Sequence, residues 1–193
     1  MFELDLKKSA AEGFTLDLSK EHPTLTKLTI VTSWKEHPIH AASLTDGYDI
    51  DQVGFFLNTS GKVKVPEDVL YFGNKTVYNG AGQLPNDNRT GGDETIYFDY
   101  SKVPADRSQI DHYIVIYEAI KRNQTFLMMT DGKVVLSDGD TNKQIGAFKL
   151  NDYTNDNALH IGSSVRTANG WEFKPVGKSA HVADLNEILR YYF

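Results

Sequence analysis

The chain contains no cysteine. That removes a disulfide framework, a thiolate metal centre and a cysteine nucleophile in one stroke. Basic residues are in deficit, 20 Lys and Arg against 26 Asp and Glu for a net charge of -6, so a nucleic-acid partner has no electrostatic support. Cation binding and plain solubility suit such a balance better. No apolar run approaches membrane-spanning length. The opening Met1-Phe2-Glu3-Leu4-Asp5-Leu6-Lys7-Lys8 lacks the apolar stretch of a secretion signal. The expectation is a cytoplasmic protein without direct membrane insertion, in which the Asn-x-Ser/Thr triplets at Asn58, Asn74, Asn88 and Asn123 are accidental. Also missing are a phosphate-cradling Gly-x-x-x-x-Gly-Lys loop, a dinucleotide fingerprint and a nucleophile-elbow serine, so no residue asks for an enzyme. There is no internal repeat and no low-complexity segment.

What is present is an ordinary globular composition, 193 residues with 40% hydrophobic and 24% charged, enough for one domain with a real core. Short alternating or doubly apolar runs recur along it: Leu25–Trp34, Asp49–Asn58 with Lys62–Val65 as its hairpin return, Val69–Phe72, Glu94–Tyr100, Tyr113–Tyr117, Phe126–Met129, Lys133–Leu136, Ile145–Leu150, Leu159–Arg166 and Gly170–Val176. Turn signals separate them, Ser60-Gly61, Asp131-Gly132, Asp138-Gly139 and Asn169-Gly170 among others. Val182, Leu185, Ile188 and Leu189 fall at helical spacing. The pattern predicts an all-β protein, a β-sandwich of two mainly antiparallel sheets with short helices, including one at the C-terminus. Residues 1–12 read as an N-terminal arm or extra strand, and 13–193 as the single sandwich domain. Gly73–Gly92 shows no strand or helix pattern, and so long a loop in a compact domain is usually functional or disordered.

The candidate site lies around that loop. Alternation puts Asp49 and Asp51 on the face of Val53, Phe55 and Leu57, and Glu94 on the face of Ile96, Phe98 and Tyr100. Acids at the mouth of an apolar row are costly without a positive partner. Asp49, Asp51, Asp87, Asp93 and Glu94 together offer the oxygens of a calcium site, which takes about six to eight and fills the remainder with carbonyls and water. The competing reading is that Asp, Asn and Gly simply make good turns. Asp138-Gly139-Asp140-Thr141-Asn142 opens like an EF-hand loop, but Lys143 and Lys149 stand where the glycine and the closing glutamate belong, so it reads as a hairpin turn. His37 and His40 flank Pro38 with nothing nearby to complete a zinc set.

Several of these segments in order resemble the TerD family of bacterial tellurium-resistance and stress proteins. Leu18-Ser19-Lys20 with Pro23, Leu25, Lys27 and Trp34 is similar to the family's opening, and Asp49-Ile50-Asp51 through Gly61-Lys62-Val63 to its Asp-x-Asp strand and hairpin. Asp87-Asn88-Arg89-Thr90-Gly91 resembles its most specific motif, and Asp93-Glu94 the acidic pair that follows. Val103-Pro104-Ala105-Asp106, Ile116-Tyr117-Glu118-Ala119 and Gly170-Trp171-Glu172-Phe173-Lys174 fit in turn. The resemblance implies calcium held by Asp49, Asp51, Asp87, Asn88, Thr90, Asp93 and Glu94, with carbonyls of the loop assisting. It further implies a non-catalytic, cytoplasmic stress-response domain acting with other Ter-family or stress proteins near the inner membrane. Two features depart from the family. A single Gly92 stands where a longer Gly- and acid-rich insert is usual, and Gln52-Val53 follows Asp51 where a small residue and Ser are common. Fewer oxygens remain, which leaves open a degenerate site on a metal-independent interaction module.

Overall fold

The computed structural model describes residues 1–41, 44, 47–85, 92–153 and 155–193. Its N-terminal stretch forms β1 (Phe2–Asp5) and α1 (Leu6–Ala11), followed by β2 (Leu16–Asp17), α2 (Leu18–Glu21) and the long β3 (Lys27–Glu36). Next come β4 (Ile50–Asn58), three two-residue strands β5 (Val69–Leu70), β6 (Thr76–Val77) and β7 (Gly82–Gln83), then β8 (Asp93–Asp99) and β9 (Arg107–Ile116). After α3 (Ala119–Arg122) the chain runs through β10 (Met129–Asp138), β11 (Gln144–Lys149), β12 (Ala158–Thr167) and β13 (Gly170–Ala180) to α4 (Leu185–Leu189). One sheet has the order β1-β11-β10-β3-β8-β7-β6 and the other β2-β13-β12-β9-β4-β5. Pairing is antiparallel except for β1, which lies parallel to β11. The expected sandwich with a short C-terminal helix is the fold observed.

Among the described residues, two hydrophobic cores hold it. The larger fills the space between the sheets with Leu28, Ile30, Trp34, Ile50, Phe56, Ile96, Phe98, Ile114, Phe148 and Phe173. The smaller covers the opposite face of β4, where Val53, Phe55 and Leu57 meet Val182, Ile188 and Tyr192. Every residue of β4 is therefore buried, although it neighbours only the short β5 on one side. The cap of α4 is built for this docking: Asp184 Oδ1 accepts from Glu187 N–H (3.1 Å), and Glu187 Oε2 accepts from Ala183 N–H (2.7 Å). One orphan donor at the helix start is satisfied this way, and the residue before the cap is tied back to the first turn.

Turn chemistry fixes the connections. At the Asn169-Gly170 hairpin, Gly170 has φ 133, and Ser19 Oγ lies 2.0 Å from where a Cβ would stand. A side chain there would collide with the hydroxyl that accepts from Trp171 N–H at 2.8 Å. Asp131-Gly132, expected as a turn, is instead a bulge inside β10, where the register with β3 shifts between Thr130 and Lys133. The left-handed backbone at Asp131 (φ 54) absorbs the extra residue without ending the strand. Lys62–Val65, expected as the return strand of a hairpin, is not a strand. Its backbone is taken by a side chain: Asp68 Oδ2 accepts from Lys64 N–H (2.7 Å) and Val65 N–H (3.1 Å). Within Gly73–Gly92, expected to be patternless, β6 and β7 form a two-residue hairpin too short to show periodicity.

Asp68 is wholly buried and also holds Arg107, whose Nε donates to Oδ1 at 2.5 Å and Nη2 to Oδ2 at 3.2 Å, while Tyr78 O–H donates to Oδ1 at 2.5 Å. Burial alone would raise the carboxyl pKa; Arg107, Tyr78 and the two backbone donors reverse that and lower it. Removing one partner of such a pair strands the other charge in the core. Asp68→Ala is expected to cost about 3–5 kcal/mol in urea unfolding, whereas a loss below about 1 kcal/mol, the scale of an exposed pair, would mean the site relaxes to admit water.

Candidate functional site

The strand starts that carry the candidate acids lie at neighbouring positions on facing sheets. β4 belongs to the six-stranded sheet and β8 to the seven-stranded one, and Gly54 of β4 sits against the Phe98 ring and Ile96 Cδ1 of β8. One side chain ties the two strands together near their acidic ends. Gln52 (2% exposed) donates from Nε2 to the Glu94 carbonyl of β8 at 2.6 Å and to the Ile30 carbonyl of β3 at 3.1 Å. Both carbonyls lie in the opposite sheet. A buried amide in an apolar strand must be bonded, and that requirement was the one sequence signal pointing to it. Its destination was not legible.

Alternation sends the described acids to different places. Asp51 shares the face of Val53, Phe55 and Leu57 as expected, but that row meets the smaller core outside the sandwich. The Asp51 side chain lines a groove of about 920 Å³ together with Val63, Val69, Val115, Leu185 and Phe193. Phe72, Ile120 and Phe193 are 48%, 50% and 74% exposed on its walls, so the groove is mainly apolar with Asp51 as a buried acid within it. Glu94, half-buried, shares the face of Ile96 and Phe98, which look into the space between the sheets. Asp93 is exposed at the start of β8, and Asp49 is half-buried just before β4, its carbonyl accepting from Tyr117 N–H at 2.9 Å. Asp87, Asn88 and Thr90 lie outside the described residues. Among the described residues, no group of three or more His, Asp and Glu side chains converges as a metal site would require.

The donor set nevertheless suits a hard cation. Side chains of Asp49, Asp51, Asp93 and Glu94 offer oxygen only, the ligand chemistry of calcium and magnesium. Thr32, level with Glu94 in the β3–β8 register, is wholly buried, and its Oγ1 has no hydrogen-bond partner among the described residues. An unmade hydrogen bond of that kind costs about 1–3 kcal/mol, and it leaves an oxygen turned into the same end of the sandwich. Residues 86–91 follow directly on Pro85 and precede Gly92, whose carbonyl accepts from Trp34 N–H at 3.0 Å. That bond ties Gly92 to β3.

A second cluster brings together Ser, His and Asp, and its geometry is not that of a nucleophile relay. Ser163 Oγ donates to Asp111 Oδ1 at 2.6 Å, and His160 Nε2 lies 3.2 Å from the same hydroxyl and 3.5 Å from the same carboxylate oxygen. A relay needs one ring nitrogen on the hydroxyl and the other on the acid; here one nitrogen faces both. Tyr192 O–H donates to Asp111 Oδ2 at 2.6 Å and meets Tyr113 O–H at 2.9 Å, while Gln109 Nε2 donates to Oδ1 at 2.7 Å. The network fastens the C-terminal turn to β9.

The chain belongs to the TerD domain family: the family's sequence profile matches residues 6–192. It is 28% identical over 174 residues to general stress protein 16U of Bacillus subtilis, covering 88% of this chain and 89% of that one. Tellurium resistance protein TerD of Serratia marcescens is 27% identical over 177 residues, with 88% and 89% covered. Stress response protein SCP2 of Bacillus subtilis is 26% identical over 195 residues, with 95% and 98% covered. The crystal structure of a TerD homologue from Streptomyces coelicolor superposes with a TM-score of 0.67 at 17% identity, over 86% of this chain and 95% of that one, and shows the same fold.

Burial would raise the Asp111 pKa, but His160, Ser163 and Tyr192 outweigh it and lower the carboxyl to about 2. A carboxyl depressed in the folded state stabilises it above the unfolded value and loses that stabilisation as pH falls through the folded one. Stability is expected to fall by about 2 kcal/mol between roughly pH 4 and pH 2. Asp111→Asn should flatten that segment of an acid-unfolding curve; an unchanged slope would mean the carboxylate is not held as its partners imply.

Proposed function

We propose that this chain is a calcium-binding, non-catalytic stress-response domain of the tellurite-resistance type that acts through other proteins. The observation that carries the reading is the juxtaposition of the acid-bearing starts of β4 and β8 on facing sheets, tied through Gln52. The names of the related proteins, which speak of tellurium resistance and general stress, support the biological half. Oxygen-only donors support the ionic half. The ion would take its oxygens from among Asp49, Asp51, Asp93 and Glu94, of which Asp51 and Glu94 leave β4 and β8 on different faces, together with Asp87, Asn88 and Thr90. What a bound ion supplies there is neutralisation of the acids and a cross-link between donors on two strands. The residues themselves set the scene: β4 and β8 present the acids, and Trp34 N–H holds the Gly92 carbonyl beside them.

The partners in this reading are other Ter-family or stress proteins, met in the cytoplasm near the membrane. Among the described residues, no helix is long and apolar enough to cross a membrane. A metal-independent interaction module is the second reading, favoured by the divergence of Asp51 from Glu94 onto separate faces.

Thermal unfolding of the chelated protein, repeated with calcium and then magnesium, separates the two. A site saturated at about one hundred times its dissociation constant adds about 2.7 kcal/mol, which for a chain of this size raises the midpoint by roughly 5–10 °C. A calcium-selective rise abolished by Asp51→Ala or Asp93→Ala supports the first reading. No shift at millimolar calcium removes it and leaves the second.

A further inference from the structure

We propose that Gln52 is a built-in substitute for a cation: its amide binds backbone oxygens of the paired strands β3 and β8 to β4 of the facing sheet and so pre-forms the acidic end of the sandwich without metal. Nε2 carries two N–H bonds and no acceptor. It contacts the Glu94 carbonyl at 2.6 Å and the Ile30 carbonyl at 3.1 Å, on adjacent strands β8 and β3. Two carbonyl oxygens converging on one positively polarised centre is the arrangement a hard cation makes with backbone oxygens. Here the centre is covalently part of β4.

Three features mark the contact as more than core filling. Gln52 is 2% exposed between Ile50 and Phe56, which enter the main core from the same face of β4. Its reach is to backbone, so the contact fixes strand position rather than a side-chain rotamer. Its target is the carbonyl of Glu94 itself, the residue that brings a candidate acid to the inner face. Held there, Glu94 keeps its place whether or not an ion is bound, and the entropy of closing the two sheets at this end is spent during folding instead of on ligand binding. The clamp makes Gln52 a positioning residue. Its second consequence, a reduced dependence on calcium, rests on the calcium reading; the clamp itself does not.

The test compares the full chain with Gln52→Met and Gln52→Glu, in chelator and in millimolar calcium chloride. Hydrogen exchange at the amides of residues 93–96 and the thermal midpoint are the readouts. Methionine fills nearly the same volume without donors. In chelator, Gln52→Met is expected to lose roughly tenfold or more of the protection at the start of β8 while the middle of β9 holds, with a midpoint lower by roughly 3–6 °C. Wild-type protection in that variant overturns the clamp. Gln52→Glu places a carboxylate against two carbonyls, so it is expected to open the same amides in chelator and to recover in calcium. A Glu variant as protected as wild type in chelator also overturns it. Should Gln52→Met not fold, Gln52→Asn, one methylene too short to reach both carbonyls, gives the same reading from the same amides. If calcium changes neither wild type nor variants, the calcium reading fails, and the chelator comparison still decides the clamp.

Discussion

Burial of β4 on both faces is the constraint on which the rest of this molecule depends. A strand covered on one side by a facing sheet and on the other by a helix has no solvent face, so its alternation sorts side chains between two cores rather than between core and water. Ile50, Gln52 and Phe56 go inward; Asp51, Val53, Phe55 and Leu57 go outward under α4. The C-terminal helix is therefore not an appendage. Without it the outer row would be an exposed apolar surface, and Asp51 would be a surface carboxylate instead of an acid set into a mostly apolar groove. The Asp111 network works to the same end, since Tyr192 reaches it across the helix's last turn and fixes the outer cover to β9.

How much of this was legible follows from the same constraint. The strands with clean alternation, β3 and β8, and the hairpin at Asn169-Gly170 were readable because one face meets the core and the turn residues have a single use. Which way β4 faced was not readable, because an all-apolar stretch carries no period. The acids were correctly assigned to their rows, and the rows turned out to face different cores. The bulge at Asp131-Gly132 imitated a turn because both need a left-handed residue. The loss of a strand at Lys62–Val65 came from Asp68, a contact between residues near in sequence whose real purpose, holding Arg107 in the core, is long-range. Alternation could not say which acids to group; the grouping came from the family resemblance, and Asp87, Asn88 and Thr90 of that group lie outside the described residues.

An acidic rim poses a physical problem that any solution must meet. Carboxylates gathered at one end repel, and the repulsion is weakened by separating them, by neutralising them, or by fixing the strands that bear them so that they cannot drift into worse positions. Separation is visible in the divergence of Asp51, Glu94 and Asp93 onto different faces. Fixation is visible in the Gly92–Trp34 backbone bond and in the amide of Gln52. Neutralisation is what the proposed ion would add.

These devices differ in what they make of the ion. Where strands are held only by a cation, binding and closure are one event, and affinity is reduced by the cost of ordering both sides. Where an amide already holds them, the ion meets a formed surface, and its binding energy is not consumed in closing the sheets. Such a site changes charge more than shape when it fills. For a domain that acts through partners, the signal would then be electrostatic: the same sandwich and the same groove beside Asp51, presented with fewer negative charges. Gln52, a residue with no charge and no exposure, would thus decide whether the domain answers an ion by folding a surface or by recolouring one already in place.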